Sequence, residues 1–390
     1  MKKKVILMTL FCAAMTGSDM AAQKADAAPP AVQPGETSQW RPMLHYAPRQ
    51  YWMNDPNGPV FYKGVYHLFY QYNPMAAEWG NMSWGHATST DLLHWQEHKV
   101  AMISNAERDV FSGSVVVDRD NTSGLGTVEN PAMVALYTSV FKAGTGHEPG
   151  VQAQSLAYSR DGGYTWQAYK KDPVLTLAPA SKNFRDPSVT WYAPGKYWVM
   201  TAVVADAPVI KLYKSDNLID WTFLSDFGPA GFVRPGMLWE MPSLFALPLD
   251  GDTARQKWVM MIGVNPSSIA GGSGTAYFVG SFDGTTFQAE NLPPAGSDPS
   301  AYNWGDHGAD RYAVMLFSGR PTGAPLTIGW MNNWDYATAV PTAPWKGQMT
   351  LPMTASLKTV SGRPQLCFAP DAHYTALVTK HPSHSFSALK

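Results

Sequence analysis

The absence of sustained helical periodicity between about His45 and Leu357 constrains the fold more than any other feature of the sequence. Short runs of β-branched and aromatic residues alternate there with clusters of Gly, Pro, Asn and Asp, which is the pattern of strands joined by turns. Such runs occupy residues 114–117, 132–137, 197–203, 257–262, 312–317 and 326–330. We therefore predict an all-β fold.

A weak internal repeat narrows the architecture. A turn that begins with Ser, contains Asp and returns an aromatic residue recurs at residues 89–95, 159–166, 215–221 and 281–287. Each copy is typical of the tip of an outer hairpin. The second copy is also close to the Asp-box pattern found in other β-propellers. We therefore place these four segments at the outer edges of repeated sheets.

An interleaved series of acids indicates the number of repeated units. Asp55, Asp109, Asp186, Glu240 and Asp310 each precede a strand-like run, at intervals of 54, 77, 54 and 70 residues. Units of about 55–75 residues across about 310 residues give five four-stranded blades, each with its innermost strand at a central channel. We predict a five-bladed β-propeller in which all five acids reach one funnel.

The composition argues against several classes of partner. The 390-residue chain has a net charge of −1, with 15% charged and 13% aromatic residues. A nucleic acid or an acidic membrane surface would require a basic face, which this balance does not supply. Many aromatic rings with few charges suit a neutral, hydroxyl-rich ligand such as a sugar. The ten histidines show no metal-ligand spacing, so we predict no metal and no cofactor.

The N-terminus has the pattern of an export signal. Lysines at residues 2–4 precede an apolar run at 5–14 that is too short to span a bilayer, and Ala25-Asp26-Ala27 offers a cleavage site. We predict a signal peptide at 1–27 and a disordered leader at 28–38. The protein would be secreted or periplasmic, without membrane contact after cleavage. Cys367 would then be the only cysteine, so no intramolecular disulfide is available.

The sequence WMNDPNG at residues 52–58 is the first candidate for chemistry. Asp-Pro-Asn-Gly is a turn sequence, because Pro presets φ and both Asn and Gly tolerate positive φ. Strand-like runs follow at 59–62 and 65–70, so we predict that Asp55 lies at the tight start of a hairpin. A carboxylate held there can be aimed and partly desolvated, as a nucleophile or base requires.

Two more acids lie in a proline context. Asp186 lies in FRDP and Glu240 in LWEMP, and proline favours an extended conformation of the residue before it. Glycoside cleavage needs two carboxyl groups of opposite protonation and a polar group that holds the sugar. We predict that Trp239 and Met241 form an apolar collar that suits Glu240 as a general acid, and that Arg185 keeps Asp186 ionised.

Together these motifs resemble those of glycoside hydrolase family 32, the invertase, inulinase and levanase family. The resemblance covers roughly residues 39–366 and includes YQYNP at 70–74, WGNMSWGHA at 79–87, FSGS at 111–114 and IGWMNNW at 328–334. Met241 stands where the family more often has Cys. The resemblance implies that Asp55 is the nucleophile, Asp186 the transition-state stabiliser and Glu240 the acid/base. The fructose pocket that it implies is lined by Asn54, Gln71, Trp79, Phe111, Ser112, Arg185 and Trp330.

The implied activity is that of a retaining, exo-acting glycoside hydrolase that releases terminal β-D-fructofuranose from levan, inulin or sucrose. Two alternatives remain open: an inverting five-bladed glycosidase acting on arabinan or xylan, and a carbohydrate-binding propeller without catalysis. The preference among levan, inulin and sucrose depends on loops at the pocket rim, which the sequence does not describe. The balance between hydrolysis and transfer of fructose depends on how well water competes for the intermediate.

Members of this family usually continue from the propeller into a β-sandwich. Here residues 356–366 resemble a linker into such a domain. We assign residues 39–357 to the propeller and 358–390 to a linker remnant and tail. The flank that a sandwich covers would then face water and offer a surface for self-association.

Overall fold

The computed structural model describes residues 39–294, 297–320 and 323–380. The predicted signal peptide and leader lie outside these residues. Within the described segments the chain forms twenty-one strands, a 3-10 helix at Pro299–Ala301 and an α-helix, α1, at Ala372–Lys380. No helix in these segments is long and apolar enough to cross a membrane.

The strands form five antiparallel blades that follow one another along the chain. Blade 1 consists of β1 (Tyr51–Tyr62), β2 (Val65–Asn73), β3 (Ser83–Ser89) and β4 (Gln96–Glu97). Blade 2 consists of β5 (Arg108–Val117), β6 (Met133–Phe141), β7 (Gln152–Ser159) and β8 (Gln167–Ala168). Blade 3 consists of β9 (Phe184–Tyr192), β10 (Tyr197–Val204), β11 (Val209–Ser215) and β12 (Thr222–Phe227).

The last two blades share an edge. Blade 4 consists of β13 (Leu238–Leu249), β14 (Asp252–Asn265), β15 (Gly274–Phe282) and β16 (Phe287–Ala289). Blade 5 consists of β17 (Tyr312–Leu316), β18 (Leu326–Trp330), β20 (Met353–Val360) and β21 (Arg363–Pro370). A parallel pair between Leu249 and Leu357 joins blade 4 to blade 5. The short strand β19 (Trp345–Lys346) pairs with β1 and links the end of the propeller to its start.

The first strand of every blade faces a central channel. A cavity of about 240 Å³ in this channel is lined by residues from β1, β5, β9, β13 and β17. This arrangement confirms the predicted all-β, five-bladed propeller. It also confirms the six predicted strand runs, which lie at β5, β6, β10, β14, β17 and β18.

One serine narrows the channel at the end away from the acids. The backbone of Ser318 accepts a hydrogen bond from Phe61 N (2.8 Å) and donates one to Pro59 O (2.9 Å). Its hydroxyl donates to Val115 O at 2.7 Å. Blade 5 is thereby tied to the inner strands of blades 1 and 2 at the base of the funnel.

The four Ser/Asp turns lie where the repeat predicted them, between the third and fourth strands of blades 1 to 4. In blade 1, Asp91 Oδ1 accepts hydrogen bonds from Leu93 N (2.9 Å) and His94 N (2.8 Å). The returning Trp95 donates from Nε1 to Leu92 O at 3.0 Å. A side-chain acceptor that satisfies successive backbone N–H groups explains why this turn recurs at each outer hairpin.

The predicted turn at residues 55–58 is wrong. These residues lie inside β1, which pairs with β2 but shifts its register between Met53 and Pro56 and again between Asn57 and Val60. Such irregularities bend a strand and re-aim its side chains, so turn-forming residues serve as bulge residues here. Gly58 has φ of +44°, and a Cβ there would lie 2.6 Å from Val115 N.

The prediction that residues 358–390 form a linker remnant and tail is also wrong for the first part of that range. β20 spans the proposed boundary at residue 357, and residues 363–370 form β21, the outer strand of blade 5. Leu366 and Phe368 of β21 pack near Tyr277, whose hydroxyl accepts a hydrogen bond from Leu366 N at 3.1 Å. The helix α1 then returns to blade 1, where the Tyr374 hydroxyl donates to Leu92 O at 2.7 Å.

Candidate active site

The bulged part of β1 positions Asp55 at the funnel. Asn57, two residues further on, donates from Nδ2 to Asp55 O (2.9 Å) and accepts from Gly113 N of blade 2 (3.1 Å). Asn54 is buried and accepts a hydrogen bond from Trp52 Nε1 at 2.8 Å. The Asn57 side chain therefore holds the backbone of Asp55 at a point where the ladder between β1 and β2 is irregular.

The two carboxylate oxygens of Asp55 have different surroundings. Oδ2 accepts a hydrogen bond from Ser112 Oγ at 2.8 Å, whereas Oδ1 is buried and has no hydrogen-bond partner among the described residues. Burial, followed by the nearby charge of Glu240, raises the pKa of Asp55 to about 6, although the Ser112 hydroxyl and the Asn54 side chain oppose the shift. Ser112 thus anchors one of the two oxygens.

Asp186 is held by backbone contacts from two directions. Its φ is +59°, its N–H donates to Thr138 Oγ1 at 2.9 Å, and its Oδ2 accepts from Met241 N at 3.0 Å. A positive φ at a residue other than glycine is strained, and such strain concentrates at functional sites. Burial raises the pKa of Asp186; the guanidinium of Arg185 opposes the shift, and Glu240 adds to it.

Arg185 contacts a different carboxylate from the one predicted. Its Nη2 and Nε donate to Glu240 Oε1 at 2.9 and 3.2 Å, while Nε lies 3.9 Å from Asp186 Oδ2. The prediction that Arg185 keeps Asp186 ionised is met only in direction, because Arg185 opposes the rise in the pKa of Asp186 but burial outweighs it.

Tyr312 completes the surroundings of Glu240, and the sequence did not identify it. The Tyr312 hydroxyl donates a hydrogen bond to Glu240 Oε2 from the start of β17. The run that contains Tyr312 predicted a strand, and this tyrosine lies two residues after Asp310. The position of Asp310 in the acid series was therefore the available signal, but the functional side chain belongs to the strand itself.

The predicted collar around Glu240 forms only in part. Met241 lies in an apolar cluster with Tyr312, Trp52 and Trp330, close to the acids. Trp239 instead points into the core between blades 3 and 4, where its ring lies 6.3 Å from that of Phe227. Successive residues of a strand face opposite sides, so Trp239 cannot share the orientation of Glu240.

The other residues of the predicted pocket differ in how deeply they are buried. Gln71 is buried and donates from Nε2 to Val110 O at 3.1 Å. Trp79 is 50% exposed, and its ring meets that of Phe111 edge to face at 5.9 Å, so these two aromatics form part of the rim. Trp330 is fully buried, with its ring centroid 6.1 Å from that of Trp52.

Two acids of the predicted series have other roles. Asp109 pairs with Lys142 at 2.9 Å and accepts from Ser104 Oγ at 2.6 Å. Asp310 accepts a hydrogen bond from the Tyr336 hydroxyl. The expectation that all five acids share one cluster is wrong, because each of these two is engaged by a partner outside it. The described residues contain no group of His, Cys, Asp and Glu side chains arranged to hold a metal ion.

Comparison with known proteins agrees with this geometry. Residues 45–370 match the model of the glycosyl hydrolases family 32 N-terminal domain. The chain belongs to glycoside hydrolase family 32. This family 32 chain is 42% identical over 367 residues to the extracellular exo-inulinase of Aspergillus niger, an alignment that covers 89% of the chain and 67% of that protein. It is 43% identical to the levanase of Bacillus subtilis, covering 92% of the chain and 50% of the levanase.

A solved structure extends the agreement to three dimensions. The crystal structure of the exo-inulinase from Aspergillus awamori superposes with a TM-score of 0.82 at 41% sequence identity. The match covers 87% of this family 32 chain and 69% of that structure. The chain thus spans between half and about two thirds of the proteins that it resembles, and their activities enter below as proposals.

Proposed function

We propose that this family 32 chain is a retaining, exo-acting β-fructosidase that releases terminal non-reducing β-D-fructofuranose from fructans such as levan and inulin, and from sucrose. The observation that carries the proposal is the asymmetric Asp55 carboxylate, with one oxygen anchored by Ser112 and the other without a hydrogen-bond partner of normal geometry among the described residues. Such a carboxylate is oriented for attack from one oxygen, as a nucleophile must be.

In the first half of the proposed reaction, Asp55 Oδ1 forms a bond to the anomeric carbon of the terminal fructose. The bond to the leaving oxygen breaks at the same time, and that oxygen takes a proton from Glu240. Arg185 and Tyr312 hold the Glu240 carboxyl by one oxygen each, which fixes its direction. Asp186 stabilises the transition state and binds hydroxyl groups of the sugar.

In the second half, water attacks the anomeric carbon and its proton passes to Glu240. The ester bond to Asp55 breaks, fructose leaves, and both carboxyl groups return to their starting state. If another sugar hydroxyl replaces water, the same steps transfer fructose to that sugar.

The shape of the channel supports exo action. The Ser318 contacts tie three blades together at the far end, so a polymer cannot thread through the funnel. Trp79 and Phe111 at the rim, and the buried Asn54, Gln71 and Trp330 behind it, form the proposed fructose pocket. Only a chain end can enter such a site, so we expect fructose as the sole early product from levan and inulin.

Product analysis distinguishes this proposal from its alternatives. The purified protein is incubated with levan, inulin, sucrose and arabinan, and the released sugars are separated and quantified. Fructose alone from levan or inulin chains, or fructose with an equal amount of glucose from sucrose, supports the proposal, and mixed oligofructosides contradict exo action. Release of arabinose indicates the inverting alternative, while no release from any substrate supports a carbohydrate-binding propeller without catalysis.

We also propose that the protein is exported. The support is the charged and apolar pattern at residues 2–14 together with the extracellular exo-inulinase that the chain resembles. Recovery of activity from the medium or periplasm of expressing cells tests this point. Association between copies stays a prediction, which light scattering of the purified protein tests.

A further inference from the structure

A second pocket lies on the face of the propeller opposite the acids, between blades 2 and 3. Its volume is about 310 Å³, and Val116, Val117 and Val189 supply an apolar floor. Trp191 forms one wall, five residues beyond Asp186 on the same inner strand. At roughly 3.3 Å per residue, this places Trp191 about 16 Å from Asp186 along the channel. The pocket is therefore separate from the candidate active site.

Trp191 is both exposed and fixed in orientation. The residue is 36% exposed at the end of an inner strand. Its ring meets that of Trp198 edge to face at 5.0 Å. Trp198 is itself buried and donates from Nε1 to Thr122 Oγ1 at 3.0 Å. A rigid neighbour thus holds the exposed ring in place beside the pocket.

Two charged side chains of the pocket retain unused hydrogen-bonding capacity. Arg119 donates from Nη2 to Gly319 O at 3.1 Å, which occupies one of the five N–H groups of its guanidinium. The Asp120 carboxylate makes no hydrogen bond or ion pair to any residue that the structure describes. The two adjacent charges are opposite, so the pocket offers both donors and acceptors without a net charge.

We infer that this pocket is a non-catalytic binding site for a segment of a neutral polysaccharide. Trp191 stacks against the apolar C–H face of a sugar ring, and the valine floor excludes water beneath it. Arg119 donates to sugar hydroxyls and Asp120 accepts from them. The balanced charge favours a neutral, hydroxylated ligand over an anionic or a cationic one.

The assignment of that polysaccharide as a fructan rests on the proposed function. A polymer held at this pocket keeps other chain ends of the same molecule or particle close to the funnel. Two attachment points on one polymer raise the overall affinity without any new contact at the catalytic site. The two sites open on opposite faces, so small substrates such as sucrose gain nothing from the second one.

Affinity electrophoresis in native gels tests the inference. The D55N variant serves as background so that the polymer is not consumed, and gels contain soluble levan, inulin, arabinan or no polymer. Trp191→Ala removes the exposed ring, and Phe223→Ala is the matched control. Phe223 is 51% exposed on β12 of the same blade, where it packs near Tyr213 outside the pocket.

We expect Trp191→Ala to raise the dissociation constant for one neutral polymer by at least about tenfold, against the 10²–10⁴ that bivalent attachment can supply. Phe223→Ala should leave it unchanged. Asp120→Ala alters a residue without partners in the described structure and should also weaken retention, which keeps the test decisive if Trp191→Ala misfolds. Retention unaffected by both pocket variants overturns the inference.

The test separates this inference from the proposed function. Retention by arabinan that depends on Trp191, together with no release of fructose by the unmodified protein, would leave the pocket standing and remove the fructan assignment. Release of fructose combined with retention that does not depend on Trp191 would overturn the inferred binding pocket but not the proposed β-fructosidase activity.

Discussion

At the scale of single residues, the site depends on how three carboxyl groups share one cationic side chain and several hydroxyls. Arg185 pairs with Glu240, Ser112 supports Asp55, and Tyr312 reaches Glu240 from blade 5. The identities of the acids could be predicted from their motifs. Their partners could not, because each partner comes from another strand whose register the sequence does not reveal.

The pKa of Asp55 sets the acid limb of the pH profile. A nucleophile must be ionised, and burial raises the pKa of Asp55 to about 6. We expect kcat/KM to fall about tenfold per pH unit below pH 6, since this ratio reports the pKa values of the free enzyme. Ser112→Ala removes a contact that favours the charged form, so the limb should move to higher pH.

Measurement of kcat/KM between pH 4 and 8, at intervals of about one pH unit, checks this expectation. Ser139→Ala is the control, because Ser139 bonds Ser155 on the neighbouring strand of blade 2 rather than an acid. A limb that stays in place in Ser112→Ala would show that Asp55 does not govern it.

At the scale of elements, β1 shows where sequence reasoning failed. Residues 55–58 have the composition of a turn but lie in a strand. The backbone of β5 approaches this strand so closely that a side chain at Gly58 would clash with it. Turn propensity describes local φ and ψ, and a bulge uses the same values. Only the neighbouring blade distinguishes the two, so the sequence alone favoured the wrong element.

Gly58→Ala should destabilise the protein through this contact. The new Cβ would lie 2.6 Å from Val115 N in a backbone with φ of +44°. Gly64→Ala is the control, since Gly64 has φ of +84° and open space around it. Both variants carry the left-handed strain, and Gly58→Ala should cost about 1–3 kcal/mol more from overpacking. Equal free energies of unfolding in urea would contradict the close approach.

Three histidines that lie between blade 1 and the Ser/Asp turn of blade 2 should make the free energy of unfolding depend on pH. His67 and His86 are buried, with Nδ1 of His67 3.1 Å from Nε2 of His86, and the ring of His98 lies 4.8 Å from that of His86. Burial, aided by His98, lowers the pKa of His67 to about 4, and burial lowers that of His86 as well.

The sign follows from the unfolded state, where histidine titrates near its ordinary pKa of about 6.5. The neutral histidines therefore do not oppose folding above pH 6.5. As the pH falls toward 4, the free energy of unfolding decreases, by up to about 3 kcal/mol for His67. His67→Phe should flatten this dependence, whereas the exposed His94→Gln should not. Urea unfolding at neutral and mildly acidic pH measures the difference, and an unchanged slope in His67→Phe would contradict it.

At the scale of the whole molecule, repetition made the fold predictable. Four similar turns and a series of acids about 54–77 residues apart were enough to infer five blades, because each blade repeats the same strand order. The end of the repeat was harder to predict. Blade 5 lacks the Ser/Asp turn found in blades 1 to 4, and the sequence of its outer strand β21 is also compatible with a linker.

Removal of β21 should therefore damage the propeller. A chain shortened after Leu357 loses β21, the strand that contains Leu366 and covers Tyr277 and Val279. We expect it to melt at a clearly lower temperature or to aggregate, since a lost edge of this size removes several kcal/mol of apolar burial at about 25 cal/mol per Å². A chain shortened after Pro370 keeps blade 5 and is the control. Equal melting temperatures would show that β21 is dispensable.

Covalent trapping on Asp55 tests the central claim most directly. Glu240→Gln slows the second half of the reaction, while a fructoside with a good leaving group still allows the first half. Mass spectrometry of this variant after mixing should then find one added fructosyl unit, on the peptide that contains Asp55. Asp55→Asn in the same background should gain none. Turnover of the activated substrate without a covalent adduct, and with inversion at the anomeric carbon, would contradict the account.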